Sequence, residues 1–187
     1  MGRKKVENGL TKDMIVEEAD RQFLQIDFQK VSMRSIASAL GFSHGSIYYH
    51  FQNKTDLFNA VIEKYFTILN NLLDSALKFD CLEGTKYVLT NYIQFGLDNQ
   101  SQYDFMFVKY DGLNDPLQQI APKESLKKFI HTLQCLHKHT LDENNIHSTF
   151  IALHGFVLYY KGRVENFEQA KEEAQSYTDF LLKTLVR

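Results

Sequence analysis

The stretch VSMRSIASALGFSHGSIYYHFQNKTDL, residues 31–57, decides how this chain is read. It holds two short helical patterns joined by a tight turn. Ser32 suits an N-cap, and Met33, Ile36, Ala37 and Leu40 form one apolar face behind it. Gly41 suits a left-handed C-cap, which it adopts without a Cβ penalty. Ser43 then caps a third helix, predicted from His44 to about Phe51. No acidic residue lies between Phe28 and Lys54, while Lys30, Arg34, His44, His50 and Lys54 all fall in or at the edge of that window. An acid-free window in a chain of net charge −2 points to a polyanion. The helix-turn spacing points to the DNA major groove.

Working outward, residues 1–10 are a basic, polar arm. Thr11 is a candidate N-cap for a first helix in which Met14, Ile15, Ala19, Phe23 and Leu24 repeat at helical spacing. Asn53 caps a fourth helix, with Asp56 at N3 favourable to the helix dipole. Its apolar stripe (Leu57, Ala60, Val61, Tyr65, Ile68, Leu69, Leu72, Leu73) runs to about Lys78 with no Gly or Pro, long enough to link an N-terminal domain rigidly to the C-terminal helices. Further helices are predicted over 82–99, 102–110, 123–140, 142–161 and 166–186. Residues 111–122 hold Gly112, Pro116 and Pro122 and are predicted to be a loop. Nothing alternates with a period of two, so the predicted class is all-α. The predicted organisation is an arm over 1–10, a three-helix helix-turn-helix domain over 11–52, and a linker helix with a helical effector-binding and dimerisation domain over 53–187.

Bulk properties narrow the function. With 187 residues and 44% hydrophobic content the chain can bury a core as one domain or two small ones. Residues 1–64 carry +1 and residues 65–187 carry −3, and a pI near 6.4 argues against indiscriminate nucleic-acid binding. Cys81 and Cys135 are too few for a disulfide framework. No apolar core follows the basic start, and no segment approaches the roughly 18 apolar residues of a membrane span. A cytoplasmic location with no membrane partner is therefore expected. There is no nucleophile–base pairing, GxSxG elbow, HExxH or phosphate loop, so neither an enzyme nor a cofactor is expected.

In roughly the first third of the chain the residues agree with a known pattern: Phe23, Phe28, Ser32-Met33, Ile36-Ala37, Gly41-Phe42-Ser43, Gly45-Ser46-Ile47-Tyr48, His50-Phe51, and Lys54 followed by Leu57. This segment resembles the DNA-binding domain of the TetR family of bacterial transcriptional repressors, over about residues 11–66. The resemblance implies that Arg34, His44, Gly45, Ser46 and Tyr49 face bases. It implies that Ser32, Tyr48, His50 and Lys54 meet phosphates. Asp27 departs from the pattern, which usually has Gly there; Asp can visit the left-handed region at some cost.

The C-terminal region is where a releasing signal is expected. Aromatics concentrate in NYIQFGLDNQSQYDFMF, residues 91–107, and again in FIALHGF, residues 150–156. Together these resemble the C-terminal domain of one branch of the family, with a His-Gly pair after an aromatic on the penultimate helix; Phe150 stands where that branch commonly has Trp. The candidate effector pocket is Tyr92, Phe95, Tyr103, Phe105, Met106, Phe107, Tyr110, His154 and Tyr159: apolar walls with a few polar points, suited to a small organic effector. His131, Cys135 and His139 recur at i, i+4 and i+8 and could bind zinc or copper or present an oxidisable thiol, although solvated polar residues are the plainer reading.

The last two helices carry apolar stripes, Ile146, Phe150, Leu153, Val157 and Tyr160, then Tyr177, Phe180, Leu181, Thr184 and Leu185. These could pair with the same helices of a second subunit. A palindromic operator requires such a homodimer, with recognition helices about 34–36 Å apart. The expected function is a ligand-responsive regulator that binds double-stranded DNA as a dimer and is released by a small effector. The alternatives are the same DNA-binding head controlled by metal, by thiol oxidation or by a protein partner.

Overall fold

Side-chain caps set five of the helix starts among the described residues, whereas Ser43, expected to cap the third helix, makes no cap hydrogen bond. The Thr11 hydroxyl accepts from Met14 N at 3.2 Å. Ser32 and Ser35 form a reciprocal capping box, each side chain accepting from the other's backbone N–H at 3.0–3.1 Å. Asn53 Oδ1 accepts from Asp56 N at 2.9 Å, and Asp80 and Asp142 each accept from two backbone N–H groups of the helix they precede. These bonds occupy donors that a helix N-terminus leaves without intrahelical partners. A computed structural model describes residues 9–26, 30–108 and 116–186, with 116–120 described by backbone alone. Among these residues the chain is all α-helical, with no strand: α1 (Lys12–Gln25), α2 (Met33–Ala39), α3 (His44–Ile47), α4 (Lys54–Ala76), α5 (Cys81–Asp98), α6 (Gln100–Phe107), α7 (Pro116–Leu136), α8 (Glu143–Tyr160) and α9 (Lys171–Leu185). A 3-10 turn, Phe167–Ala170, precedes α9.

The helices form two compact units, Met1–Lys64 and Tyr65–Arg187, with the boundary inside α4. In the first unit Ile15, Ala19 and Phe23 of α1, Ile36 of α2, Ile47 of α3 and Leu57, Phe58 and Val61 of α4 are buried. Phe23 meets Phe58 edge to face, with ring centroids 5.6 Å apart. Lys64 bonds both Glu17 and Asp20, holding α4 to α1. Gly41 takes φ +76°, the left-handed turn that separates α2 from α3. Regular α3 stops at Ile47, shorter than the predicted 44–51. Tyr48, Tyr49 and His50 continue as a hydrogen-bonded turn, with Tyr48 N donating to Gly45 O and Phe51 N to Ile47 O. Gly45 and Ser46 are weak helix formers, which favours this early fraying.

In the second unit α5 packs against α6, α7, α8 and α9. Two glycines permit the closeness: a Cβ at Gly84 would lie 2.7 Å from Leu136 and 2.8 Å from Ala76 O, and one at Gly96 would lie 2.7 Å from Val157. The junction of α5 and α6 is tied to the segment after α8. Gln100 Nε2 donates to Val164 O at 2.9 Å, Gln100 Oε1 accepts from Gly162 N, and Asp98 accepts from Phe167 N. The predicted loop over 111–122 is corrected at its second half. Pro116 opens α7, where a missing N–H costs little, and Pro122 lies inside that helix. Residues 111–115 lie outside the described residues, as do residues 1–8 and the Asp27–Phe28 pair.

Candidate nucleic-acid interface and core polar cluster

Packing and exposure divide the residues of the helix-turn-helix cleanly. Met33, Ile36, Ala37, Ile47 and Phe51 are buried, and Leu40 and Phe42 are half-buried around the turn. Arg34, His44, Gly45 and Tyr49 are exposed, Tyr49 to 91%. Ser46 is half-buried, its hydroxyl 2.7 Å from that of Ser43. Among the described residues, nothing from another part of the chain would lie within 4 Å of a Cβ at Gly45. No internal packing therefore requires glycine there.

The four residues assigned to phosphates divide as follows. Ser32 is exposed and engaged in the capping box, and Ser35 of that box lies 2.8 Å from Gln22 Oε1 on α1. Gln22 in turn donates to Glu18, which Arg21 holds by two bonds and whose carboxyl stays below the usual carboxylate range because of Arg21. Tyr48 is half-exposed and its ring meets His44 edge to face at 5.0 Å. His50 is half-buried. Lys54 Nζ donates to Val31 O at 2.8 Å, which fixes the ammonium beside the segment leading into α2. The Gln22–Ser35 link was not legible in the sequence, since its two residues stand 13 positions apart and share no helix.

In the second unit Tyr92 of α5, Tyr103 of α6 and His154 of α8 converge. The Tyr92 hydroxyl lies 3.0 Å from His154 Nε2, and the Tyr103 hydroxyl lies 2.5 Å from His154 Nδ1. Both tyrosines are fully buried. Burial pushes the imidazole down to about 4 and is the largest cause raising both phenols, with Tyr103 adding to the rise at Tyr92, so all three groups are neutral at pH 7. A neutral imidazole donates from one nitrogen and accepts at the other, so one tyrosine gives a proton to this bridge and the other receives one. Four rings enclose it: Phe107 and Phe150 at 4.6 and 4.5 Å from the imidazole centroid, with Tyr103 and Tyr92 at 5.4 and 5.6 Å. Phe129 of α7 backs Tyr92 and Phe150. Phe107 also meets Phe66 of α4 at 5.6 Å.

Of the other candidate pocket residues, Phe95 and Met106 are buried on α5 and α6, and Phe105 is half-buried. The structure does not bring Tyr159 into the cluster. It is 59% exposed, with its ring under the Arg163 guanidinium at 4.4 Å. Five residues on from His154, it lies about 140° around α8. Tyr110 lies outside the described residues. Phe129 of α7 falls on the buried face its helical spacing predicts but was not among the candidate pocket residues, and neither were Ser125 and Thr132.

Two further expectations change. Cys135 Sγ lies 3.5 Å from His131 Nε2, but α7 ends at Leu136 and His139 has φ +62°, so His139 leaves the face the other two share. His137, not singled out before, lies 2.7 Å from the Thr85 hydroxyl. The apolar stripe expected to meet a second subunit is displaced. Ile146, Leu153 and Val157 are fully buried within the chain's own second unit, and Phe150, Leu181 and Leu185 nearly so. Phe180 of the expected stripe is exposed on α9, while on α8 the exposed apolar residues are instead Ile151, Leu158 and Tyr159, with Gly155 between them.

Residues 15–61 match the sequence profile of bacterial regulatory proteins, tetR family. The "Probable acrEF/envCD operon repressor" of Escherichia coli (strain K12) is 42% identical over 59 residues, 32% of this chain and 27% of that protein, so the match spans well under a third of that relative. The HTH-type transcriptional regulator AcrR of Shigella flexneri is 26% identical over an alignment covering 98% of this chain and 93% of that protein. Among solved structures, a Rhodococcus sp. RHA1 protein described as of unknown function shares the fold with a TM-score of 0.79 at 16% identity, covering 98% of this chain and all of the other.

Proposed function

We propose that this chain, a TetR-family protein by its N-terminal domain, is a transcriptional repressor that binds a palindromic operator as a homodimer and is released by a small organic effector. The observation that carries this reading is the exposure of Arg34, His44, Gly45 and Tyr49 around a turn held by the packed side chains of Met33, Ile36, Ala37 and Ile47. Large exposed aromatics are unusual on a surface that has no partner, and Tyr49 at 91% exposure is the extreme case here. Arg34, His44, Gly45, Ser46 and Tyr49 face base edges. Ser32, Tyr48, His50 and Lys54 hold the phosphates and so fix the register without reading sequence.

The fixed positive charge between Lys30 and Lys54 is small, three cations per chain, so one head binds weakly. Two heads at a set spacing supply the affinity. A second copy covers Ile151, Gly155, Leu158 and Phe180, which places α8 and α9 in a four-helix contact. The effector site is the cluster around Tyr92, Tyr103 and His154. Phe107 touches both that cluster and Phe66 of α4, and α4 is one unbroken helix from Lys54 to Ala76. An effector that displaces Phe107 therefore acts on the helix whose first turn carries Lys54. It releases DNA only by binding the two states unequally, and a hundredfold loss of affinity needs about 2.7 kcal/mol of difference.

Tyr49→Ala and Lys54→Ala test the DNA-binding reading in a titration against operator DNA and random DNA. The first should lower operator affinity by about 1–3 kcal/mol while leaving random DNA unaffected, and the second should weaken both and flatten the salt slope. Unchanged binding in both variants would overturn the assignment. A second reading, release through Cys135, is favoured by its 3.5 Å approach to His131. DNA release on alkylation by N-ethylmaleimide that Cys135→Ser abolishes would select it.

A further inference from the structure

Two hydroxyls in the second unit depart from the pattern of the rest. Helical Thr85 and Thr149 turn their hydroxyls back onto the carbonyl four residues earlier, at 2.7 and 2.8 Å. Ser125 and Thr132 of α7 have the same carbonyls available and do not use them. Both are essentially fully buried, and among the described residues neither hydroxyl oxygen has a hydrogen-bond partner. They flank Phe129 at four and three residues, which puts all three within about 60° of arc on one face of α7. That face meets Tyr92 and Phe150, the rings beside His154. A buried hydroxyl with no partner is costly, and a helix ordinarily avoids the cost by bonding back on itself. Two such hydroxyls on the helix face that carries Phe129 into an aromatic cluster are available to a partner from outside the chain.

The cluster itself states what that something can carry. Every hydrogen-bond partner and ring neighbour of Tyr92, Tyr103 and His154 among the described residues is neutral. The nearest chain neighbour with a charge, Asp104, is paired with Lys161 and directed there. A carboxylate or ammonium brought into this cluster would lose its hydration with no counter-charge to meet it. An aromatic molecule would exchange ring contacts with Phe107 and Phe150 for similar contacts with itself.

We propose that this cluster takes an uncharged, aromatic molecule with oxygen atoms at two ends, one bonding the Tyr92–His154–Tyr103 bridge and the other the Ser125–Thr132 side of α7. This rests on the effector reading above and adds the chemical class of its ligand. The bridge both donates and accepts, so a phenol or a ketone fits it equally. Ser125 and Thr132 are determinants of binding that contribute nothing to the fold of the free protein.

The test uses the full chain and three probes of one shape: 2,6-dihydroxynaphthalene, 6-hydroxy-2-naphthoate and 6-aminomethyl-2-naphthol. The chain has no Trp, so probe fluorescence reports binding directly. The diol should bind at least tenfold tighter than the anion or the cation. Ser125→Ala and Thr132→Val should each weaken the diol severalfold while leaving the urea midpoint unchanged or higher, since each removes a hydroxyl that has no partner. Tyr103→Phe should weaken it as well. Equal or tighter binding of a charged probe, binding of none of the three, or diol binding indifferent to both α7 variants would each overturn the proposal. Operator binding of the free protein, measured alongside, reports on the DNA-binding reading separately. Loss of operator release by the diol, with diol binding intact, would count against the effector reading and not against the ligand class.

Discussion

Single residues separate what the chain needs to fold from what, under the proposed function, it keeps for DNA. Gly41 and Gly45 are four positions apart and differ in kind. Gly41 sits at φ +76°, where a Cβ costs about 1–2 kcal/mol, so Gly41→Ala should lower the urea midpoint. Gly45 has no such φ and open space where a Cβ would go. Gly45→Ala should leave the melting temperature unchanged or higher, because Ala is the better helix former by up to about 1 kcal/mol. Under the proposed function it should still weaken operator binding, roughly tenfold or more, because the Cβ would stand between backbone and groove. Full DNA affinity in a stable Gly45→Ala protein would show that nothing approaches that backbone. Much at this scale was legible beforehand. Thr11, Ser32, Asn53 and Gly41 act through bonds to neighbours within four residues, which spacing alone reveals. The bond of Ser35 to Gln22 was not, since it depends on how α1 crosses α2.

Among helices, the sequence reading succeeded where periodicity was strong and failed at ends and faces. The predicted starts and stops of α4, α5 and α8 lie within one or two residues of those observed, because long amphipathic stripes and Asp or Asn caps define them. Pro116 and Pro122 suggested a loop, yet α7 absorbs both; a proline forbids one hydrogen bond, and a buried apolar face can outweigh that loss. The α8 stripe was shifted by one face because every side of that helix carries apolar residues, and only packing tells which are covered. The helix contacts also give two predictions. Gly84→Ala drives a Cβ against Ala76 O and Leu136, so it should cost about 1–3 kcal/mol by urea denaturation, in contrast to Gly45→Ala.

The second concerns His154, whose pKa falls from 6.5 to about 4 on folding because burial disfavours the charged ring. Between those values the unfolded chain binds a proton that the native chain does not. Its contribution to stability is therefore complete above pH 6.5, declines as pH drops, and levels off below about pH 4, by up to about 3 kcal/mol in all. His154→Gln should have a shallower loss of stability between about pH 6.5 and 4.5 than wild type. Parallel pH profiles for the two proteins would mean that the imidazole is not held neutral.

The molecule as a whole, under the proposed function, joins two parts: a head that reads DNA and a second copy that sets the spacing of the heads. Ile151, Leu158 and Phe180 are between 44% and 61% exposed in the single chain, and a partner is the proposed reason. Leu158→Asp with Phe180→Asp should therefore convert a dimer to a monomer by light scattering. Operator affinity should fall by at least a hundredfold while the circular dichroism of the chain is retained. Retention of the dimer would place the contact elsewhere. The helix-turn-helix pattern could be inferred from the sequence, because 31–57 is tightly patterned and free of acidic residues up to Lys54. The nature of the core cluster could not, since Tyr92, Tyr103, Phe129 and His154 come from four helices and only their packing makes a bridge of them.

The most direct test of the central claim is selection of DNA from a random-sequence pool by the full-length protein. The predicted result is enrichment of an inverted repeat whose half-site centres lie about one helical turn apart, roughly 34–36 Å, with enrichment lost in Tyr49→Ala. No enriched sequence, or an enriched site without two-fold symmetry that Tyr49→Ala selects equally well, would contradict it.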